Sequence, residues 1–362
     1  MTLNLDLSVI LPTRGRPAAL RQCLDLLARQ TLDRARFETV VVFDGPDPEG
    51  MELARSFGGR LAIQAIEAAR LGNAHTKNEA LAAARGRIVL FLNDDVLPEP
   101  DLLQSHLDAQ DQRVGQAPVL IVGHSPFVRG AAESVFEALL RRTSMIFFYD
   151  QMIDEQGRAL RGPEHDWGFR HAWSLNLSAP RRLAMAVGGF RPAIANCCYE
   201  DVEFGWRACR EGGARVLFHP QARAEHNHRM TPEDYLRREW RLGYSALGFA
   251  LAAPQCAREI FGRDIASGAE LEYARAFVER ESRGEKAQLE ALRALGAMEA
   301  ASVPTQLWES LLPALYGQHL LLKRLAFRRG LLAASAGEAA EGLFLPGHGL
   351  ATEPPLGVAT AA

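Results

Sequence analysis

The residues of this 362-residue chain best suited to chemistry are two short acidic clusters about a hundred residues apart. The first is Asn93-Asp94-Asp95 and the second is Glu200-Asp201. Mg²⁺ and Mn²⁺ prefer oxygen ligands and often use only one or two carboxylates together with substrate phosphates. A carboxylate close to an acceptor hydroxyl can also take its proton as the hydroxyl attacks. One metal-binding pair and one basic pair together predict group transfer from a phosphate-bearing donor.

Each cluster also has a structural explanation that involves no chemistry. Asn and Asp often follow strands because they favour turns, and acids in the first turn of a helix interact favourably with its macrodipole. The first cluster follows the apolar run 87–92, which predicts a buried parallel strand whose carboxyl end faces a ligand crevice. The second cluster opens an amphipathic helix, and the non-polar stretch formed by 188–190 and Cys197-Cys198 would make a nearby carboxylate more basic. On the clusters alone, both explanations stay open.

The elements that must position these residues alternate between strand and helix in the first hundred residues. Apolar runs predict strands at 5–11, 37–43, 60–66 and 87–92, and helical spacing predicts helices at 17–30, 49–57 and 73–84. Such alternation implies right-handed βαβ units and a parallel sheet. The pattern is looser after Pro98, with strands at 119–122, 172–178 and 215–218 and helices at 131–145, 180–187 and 201–210. From Thr231 to about residue 329 the pattern is wholly helical.

Composition and charge limit the class of protein. The chain is 48% hydrophobic and 23% charged, as in ordinary globular proteins, and its net charge of −3 gives no basic field for nucleic acid. Its five cysteines show no CxxC spacing, which indicates a reducing compartment rather than a disulfide framework or a zinc site. The sequence opens on no signal peptide, and no run of about 18 apolar residues occurs. These features predict a cytoplasmic protein.

Further polar residues lie where strands are predicted to end or helices to begin. Arg14 and Arg16 follow the first strand, where they could meet phosphates or remain solvated charges. Gly72 precedes a helix whose first backbone amides could receive an anion. His226 and His228 form an H-x-H pair after a strand; such histidines are more often structural than metal ligands.

In this order and spacing, the chain resembles the family 2 glycosyltransferases, which have the GT-A fold, over roughly residues 6–230. The resemblance is carried by Val9-Ile-Leu-Pro-Thr13, Val40-Val-Val-Phe-Asp44-Gly45, 72–78, Phe91-Leu-Asn-Asp-Asp95-Val and Gly188-Gly-Phe190. The most specific segment is Tyr199-Glu-Asp-Val-Glu-Phe-Gly-Trp-Arg207, followed by Pro220-Gln-Ala222 and His226.

The resemblance implies a role for each motif residue. Asp201 would be the catalytic base, and the acceptor site would include Glu200, Trp206 and Arg207. The divalent cation, Mn²⁺ or Mg²⁺, would be bound by Asp95, with His226 as a further ligand. The nucleotide sugar would be bound by Pro12, Thr13, Arg14, Asp44, Asn73, Lys77, Asn78 and Asp94.

Three departures from the family pattern qualify these expectations. Gly15 replaces the usual Asn of the Pro-Thr-x-Asn pattern, and Lys77 replaces an Arg, which keeps the charge but loses the planar fork. Processive members carry a Q-x-x-R-W signature and membrane helices, whereas this chain has Arg237-Arg-Glu-Trp240. A polymerising synthase is therefore not expected.

The sequence thus predicts an α/β fold, with a GT-A-type, Rossmann-like, mostly parallel sheet flanked by helices and a C-terminal helical extension. Residues 1–230 would form the transferase domain, with a nucleotide-sugar half (1–115) and an acceptor half (116–230). A helical extension (231–330) and a flexible tail (331–362) would follow.

The predicted reaction is the inverting transfer of one sugar from a nucleotide-diphosphate sugar to a hydroxyl acceptor, in cell-surface polysaccharide, glycolipid or glycoconjugate synthesis. A nucleotidyltransferase on a similar sheet and a degenerate protein that only binds sugar nucleotides remain alternatives. The basic residues Lys323, Arg324, Arg328 and Arg329 lie beside leucines in the helical extension. They predict either a peripheral contact with the inner face of the membrane, which would deliver a lipid-linked glycan, or the solvated face of a helical cap.

Overall fold

The computed structural model describes residues 5–154, 156–194 and 199–338. Two predicted segments lie outside the described residues. They are Cys197-Cys198, part of the non-polar stretch expected near the second acidic cluster, and residues 339–362, which make up most of the predicted flexible tail. The described residues form two units. The first contains the described residues up to Arg129 together with Arg141–Arg229, and the second contains Gly130–Leu140 and the described residues from Met230 onward.

An eight-stranded sheet forms the centre of the first unit. Its strands, in chain order, are β1 (Leu7–Thr13), β2 (Phe37–Asp44), β3 (Ile63–Ala68), β4 (Ile88–Leu92), β5 (Val96–Pro98), β6 (Val119–His124), β7 (Asn176–Pro180) and β8 (Arg215–His226). Their order across the sheet is β3-β2-β1-β4-β7-β6-β8-β5. The helices up to residue 210 are α1 (Pro17–Leu27), α2 (Pro48–Ser56), α3 (Asn73–Ala83), α4 (Leu102–Asp111), α5 (Val135–Arg142), α6 (Arg181–Ala186) and α7 (Glu200–Arg210).

Strands β1 to β4 pair in parallel, as the strand–helix alternation predicts. β7 runs antiparallel to both β4 and β6, β6 and β8 are parallel, and β5 is antiparallel to β8. Four of the seven pairings are therefore parallel. The α/β fold class with a GT-A-type sheet and a C-terminal helical region is confirmed.

The central parallel strands are continuous apolar runs because both faces of the sheet are covered. In β2, Val40 and Val42 pack in one core cluster while Val41 and Phe43 pack in a second. Successive side chains of a strand point to opposite faces, so the two clusters lie on the two sides of the sheet. This burial explains why these strands were readable as runs rather than as alternating patterns.

Several boundaries differ from the sequence predictions. β1 continues through Pro12 because β4 pairs with it only as far as Ile10, so the proline lies where the strand has a single neighbour. β8 does not end at residue 218 but continues to His226, with an irregularity opposite Gly123 that accommodates Pro220. β5 and α4 were not predicted. The strand expected at 172–178 begins only at Asn176.

The second unit is helical, as predicted, but broken into several pieces. Its helices are α8 (Pro232–Ala252), α9 (Pro254–Phe261), α10 (Gly268–Glu281), α11 (Glu285–Gly296) and α12 (Trp308–Ser335). The predicted start of α8 is confirmed, because Thr231 and Asp234 form a capping box. Residues 331–335 of the predicted flexible tail are the last turn of α12. In the described parts of the chain, no helix combines the length and apolar character that crossing a bilayer requires.

The basic residues of α12 are partly engaged within the second unit. The Arg328 guanidinium lies over the Phe277 ring, 4.3 Å from its centre, and Arg329 donates to both carboxylate oxygens of Glu285 at 2.5 Å. Charges held in this way are less available to an anionic surface. These contacts favour the packed helical cap over the membrane contact, which stays a prediction.

Candidate active site

The first acidic cluster lies where the sequence predicts it, at the carboxyl edge of the parallel strands. Asp94 and Asp95 follow β4, and Thr13 ends the neighbouring strand β1. Thr13 Oγ1 donates a hydrogen bond to Asp94 Oδ2 at 2.5 Å. Parallel strands end at the same edge of a sheet, so the chain direction alone brings these residues together.

Two histidines join Asp95 through the pairing of β5 with β8. Val96 pairs with His226, so that Asp95 faces the end of β8. His226 Nε2 lies 3.6 Å from Asp95 Oδ1, and His228 Nδ1 lies 3.6 Å from Asp95 Oδ2. One ligand atom from each of the three side chains falls within 4.8 Å of the other two. Two imidazoles and a carboxylate are a donor set that binds divalent transition metals.

The unsatisfied atoms of this trio fit a metal ion. Asp95 Oδ1 is buried and has no hydrogen-bond partner among the residues that the structure describes, although a buried polar atom without one is costly. Burial disfavours the charged form of Asp95, yet His226, His228 and Arg16 hold its pKa well below the usual range. Asp95 is therefore ionised at neutral pH, as a metal ligand must be.

Asp94 is fully buried and behaves differently from its neighbour. Burial raises the pKa of Asp94 to about 6, although Arg16 and Thr13 favour its charged form. Arg16 bridges the two acids, with Nη2 donating to Asp94 Oδ1 and Nη1 donating to Asp95 Oδ2 at 2.8 Å. Neighbouring carboxylates can both stay ionised only when a cation compensates them, and in the ligand-free protein Arg16 is that cation.

The second acidic cluster surrounds a buried lysine. Lys77 Nζ donates to Asp201 Oδ1 at 2.6 Å, to Ser174 Oγ at 2.5 Å and to Glu200 Oε1 at 3.2 Å. An ammonium has three donors, and all three are satisfied here. Burial opposes the charge of Lys77, but Asp201 and Glu200 outweigh it and raise the pKa of the ammonium. The lysine therefore remains protonated beside both acids.

Asp201 is held in one orientation while part of it reaches solvent. Its Oδ1 also accepts from Ser174 Oγ at 2.6 Å, and its Oδ2 accepts from the Ser174 N–H at 3.0 Å. The side chain remains 21% exposed. Glu200 is buried instead, and burial raises its pKa while Asn73 Nδ2 donates to its Oε1 at 2.9 Å. Of the two acids, Asp201 is the one that an incoming hydroxyl can reach.

The antiparallel pairing of β4 with β7 connects the two clusters. The Asn93 N–H donates to the Leu175 carbonyl at 3.3 Å just beyond the paired strands. Ser174, which orients Asp201, therefore lies just before β7, the strand that neighbours β4, and β4 delivers Asp94. Neighbouring strands are about 4.8 Å apart, so both acidic clusters lie at one edge of the same sheet.

Other residues predicted to bind the nucleotide sugar have partners within the protein. Asp44 Oδ1 accepts from the N–H groups of Leu71 and Gly72 at 3.1 and 3.0 Å, which fixes the loop before α3. Arg14 Nη1 lies 3.8 Å from Asp44 Oδ2.

Asn78, also predicted to bind the nucleotide sugar, exchanges hydrogen bonds with the Phe190 backbone, both at 2.7 Å. These bonds fix the residues behind the site. Pro12 is half-buried next to Thr13.

Arg207 and Trp206, two residues predicted to contact the acceptor, differ in their burial. Arg207 is buried, and its guanidinium donates to the Glu203 carboxylate and to the Val187 and Gly189 carbonyls. These bonds give it a structural role. Trp206 is half-buried on α7. The acceptor contacts of both residues stay predictions.

Lys77 needs a correction to its expected surroundings. The resemblance implies that Lys77 binds the nucleotide sugar, whereas its side chain is 1% exposed and its ammonium is bound by Asp201, Glu200 and Ser174. Its position in the structure is that of a residue that orients Asp201.

Sequence reasoning missed His228 and Ser174 as site residues. The H-x-H pattern was a usable signal for His228, since alternate residues of an extended chain face the same side. No local signal marks Ser174, which reaches the site only through the pairing of β7.

The mixed α/β sheet, whose edge carries the carboxylate–histidine trio and the separate oriented carboxylate, is of the GT-A type. Residues 8–173 match the family model described as glycosyl transferase family 2.

Named relatives agree with this assignment. The chain is 31% identical over 225 residues to validoxylamine A glucosyltransferase of Streptomyces hygroscopicus subsp. jinggangensis, covering 57% of this chain and 52% of that protein. It is 27% identical over 255 residues to pre-mycofactocin glycosyltransferase of Mycobacterium tuberculosis, covering 69% of this chain and 48% of the relative. The chain thus spans about half the length of these curated relatives.

Solved structures share the fold. The mannosyltransferase PcManGT from Pyrobaculum calidifontis, solved with GDP-Man and Mn²⁺, superposes with a TM-score of 0.56 at 18% identity, covering 92% of this chain and 87% of that one. Residues 1–349 of S. aureus TarS, solved with UDP-GlcNAc, give 0.50 at 16% identity, covering 92% and 93%.

Proposed function

We propose that this chain is a divalent-metal-dependent, inverting glycosyltransferase that moves a single sugar from a nucleotide-diphosphate sugar to a hydroxyl acceptor. The observation that carries the proposal links the Asp95–His226–His228 trio to Asp201 through one backbone contact. The Asn93 N–H, two residues before Asp95, donates to the Leu175 carbonyl, and Ser174, the residue before Leu175, orients the Asp201 carboxylate. The family match supports a sugar donor, and the ligands named for the two superposed structures support a nucleotide sugar.

The trio would hold the divalent cation, and Asp201 would act as the base. A bound cation would absorb the charge that develops on the leaving diphosphate. Asp201 accepts the proton of the acceptor hydroxyl as the hydroxyl oxygen attacks the anomeric carbon from the side opposite the diphosphate. One displacement of this kind inverts the anomeric configuration. Lys77 and Ser174 position the carboxylate, and Thr13 positions Asp94.

The donor can be tested by thermal shift with the full chain. The probes are UDP, GDP, ADP, dTDP and the sugar nucleotides UDP-glucose, UDP-GlcNAc and GDP-mannose, each with Mn²⁺ and with EDTA. At 100 times its Kd, a ligand adds about 2.7 kcal/mol to the free energy of unfolding. For a unit of this size that raises Tm by roughly 5–10 °C. We expect this shift with at least one probe and only with metal.

Two variants and the product make the test specific. Asp95→Asn should abolish the metal dependence, whereas Glu52→Gln, which changes an exposed acid on α2, should leave it intact. Nucleotide binding of equal strength in EDTA would contradict the metal role of Asp95. With the identified donor, NMR coupling at the anomeric proton should show inversion, and a retained configuration would exclude the single displacement.

A further inference from the structure

The structure places Arg16 against two carboxylates, a contact that the sequence does not predict. It is the residue before α1, and its guanidinium spans both acids of the first cluster. Asp94 and Asp95 are buried, whereas the Arg16 side chain is 46% exposed. In the part of the chain that the structure describes, its guanidinium has no other hydrogen-bond partner. The cation that compensates this cluster is therefore its most exposed member.

Charge counting shows what this position implies for metal binding. Two carboxylates and one guanidinium leave one negative charge in the ligand-free site. A divalent cation added there would leave one positive charge, and it would share the Asp95 carboxylate with the guanidinium that already occupies Oδ2. Like charges this close repel strongly where water is excluded. A nucleotide diphosphate brings at least two negative charges, so its binding would make the net charge of the site negative again.

We propose that Arg16 is a placeholder: it competes with the divalent cation for the Asp94–Asp95 pair in the ligand-free protein and turns to the donor diphosphate when both ligands are bound. The proposal rests on the proposed function, because it needs a metal and a nucleotide diphosphate at this site. Its consequence is positive coupling. Arg16 weakens the binding of metal alone and strengthens the binding of metal with diphosphate, so each ligand raises the affinity of the other by the same factor.

The geometry allows Arg16 to leave without breaking other structure. Its side chain makes no capping hydrogen bond to α1, although it occupies the cap position. Asp94 retains its hydrogen bond from Thr13 Oγ1. Arg14, two residues earlier in the same loop, lies instead 3.8 Å from Asp44 and does not contact the acidic cluster. Arg14 is therefore a matched control of equal charge.

The test measures Mn²⁺ binding to the full chain by electron paramagnetic resonance of free Mn²⁺. Titrations run at pH 7.5 with and without UDP, GDP, ADP or dTDP, for wild type, Arg16→Gln, Arg16→Lys and Arg14→Gln. Coupling factors between sites are typically about 5–150-fold. We expect Arg16→Gln to bind Mn²⁺ alone at least about fivefold more tightly, and to lose most of the tightening that the nucleotide produces in wild type. Arg14→Gln should bind Mn²⁺ alone like wild type.

Arg16→Lys keeps one positive charge but cannot span both carboxylates, so its affinity for Mn²⁺ alone should fall between those of wild type and Arg16→Gln. If Arg16→Gln does not fold, the Mn²⁺ affinity of Arg16→Lys tests the same proposal. Unchanged or weaker Mn²⁺ binding by the folded Arg16 variants would overturn the placeholder role alone, provided that wild type binds Mn²⁺ and nucleotide together. Wild type that binds none of UDP, GDP, ADP and dTDP with Mn²⁺ would overturn both this proposal and the proposed function.

Discussion

Replacing Lys77 by methionine tests whether this lysine holds the second acidic cluster together. The Lys77 side chain is 1% exposed, and its three donors serve Asp201, Glu200 and Ser174 at distances of 2.5–3.2 Å. Methionine fills a similar volume but removes the charge and all three hydrogen bonds. Two neighbouring carboxylates would then face each other without a cation.

The expected loss of stability follows from the burial of this cluster. Removing one partner of a buried ion pair costs about 3–5 kcal/mol because the remaining charge is left uncompensated. Since Asp201 is 21% exposed and can be partly solvated, we expect the lower end, about 3 kcal/mol. For a unit of about 200 residues this corresponds to a fall in Tm of roughly 6–12 °C.

The loss should depend on pH in a defined direction. Burial already raises the pKa of Glu200 above the ordinary glutamate value, and removal of the ammonium should raise it further. In the variant, the folded state then binds more protons than the unfolded state above about pH 4.5. Folding stability therefore falls as the pH rises towards the folded-state pKa of Glu200. The deficit relative to wild type should be larger at pH 8 than at pH 5.

The assay is thermal unfolding of wild type, Lys77→Met and Lys286→Met at pH 5 and pH 8. Lys286 is exposed on α11, so the same substitution there should change stability by no more than about 0.5 kcal/mol. A Lys77→Met protein that melts within about 2 °C of wild type at both pH values would refute the reasoning. A deficit that is larger at pH 5 would refute the assignment of the effect to Glu200.

Three further predictions concern the base, the metal trio and the second unit. Asp201→Asn should lower kcat by about 10²–10⁴-fold without weakening donor binding; near-full activity would exclude the base role. His228→Asn should weaken Mn²⁺ binding at least about tenfold, as should His226→Asn, and a loss confined to His226→Asn would remove His228 from the site. Gly330→Ala should destabilise the second unit by about 1–3 kcal/mol, since an added Cβ would lie 2.0 Å from a backbone carbonyl of α8. Gly317→Ala on the same helix has open space and should be neutral or stabilising by up to about 1 kcal/mol; equal effects in calorimetric unfolding would contradict the close approach.

The sequence could predict whatever depends on local burial and chain direction. The apolar runs of β1, β2 and β4 are buried on both faces of the sheet, so each run marks its strand and each strand end marks a site residue. Asp94 and Asp95 could therefore be placed at the sheet edge from the residue pattern alone. The helix start at Thr231 was equally local, because capping depends on four consecutive residues.

The rest depends on partners that are distant in the chain. Lys77 meets Asp201 across 124 residues, and no local pattern distinguishes a lysine that faces a phosphate from one buried beside two acids. β5 has three residues and exists only because β8 pairs with it. The sequence predicts a strand only at 215–218, whereas the irregular pairing with β6 lets β8 continue to His226.

The two acidic clusters are compensated by cations of opposite character, and this difference separates their functions. Arg16 is 46% exposed and holds Asp94 and Asp95 from the solvent side, so a stronger cation and a diphosphate can take its place. Lys77 is 1% exposed, and its three hydrogen bonds leave it no alternative partner to turn to. An arginine at position 77 would offer a planar fork, whereas the three acceptors here surround a single point charge. We therefore expect the first cluster to exchange its cation during turnover and the second to keep Asp201 in one orientation throughout.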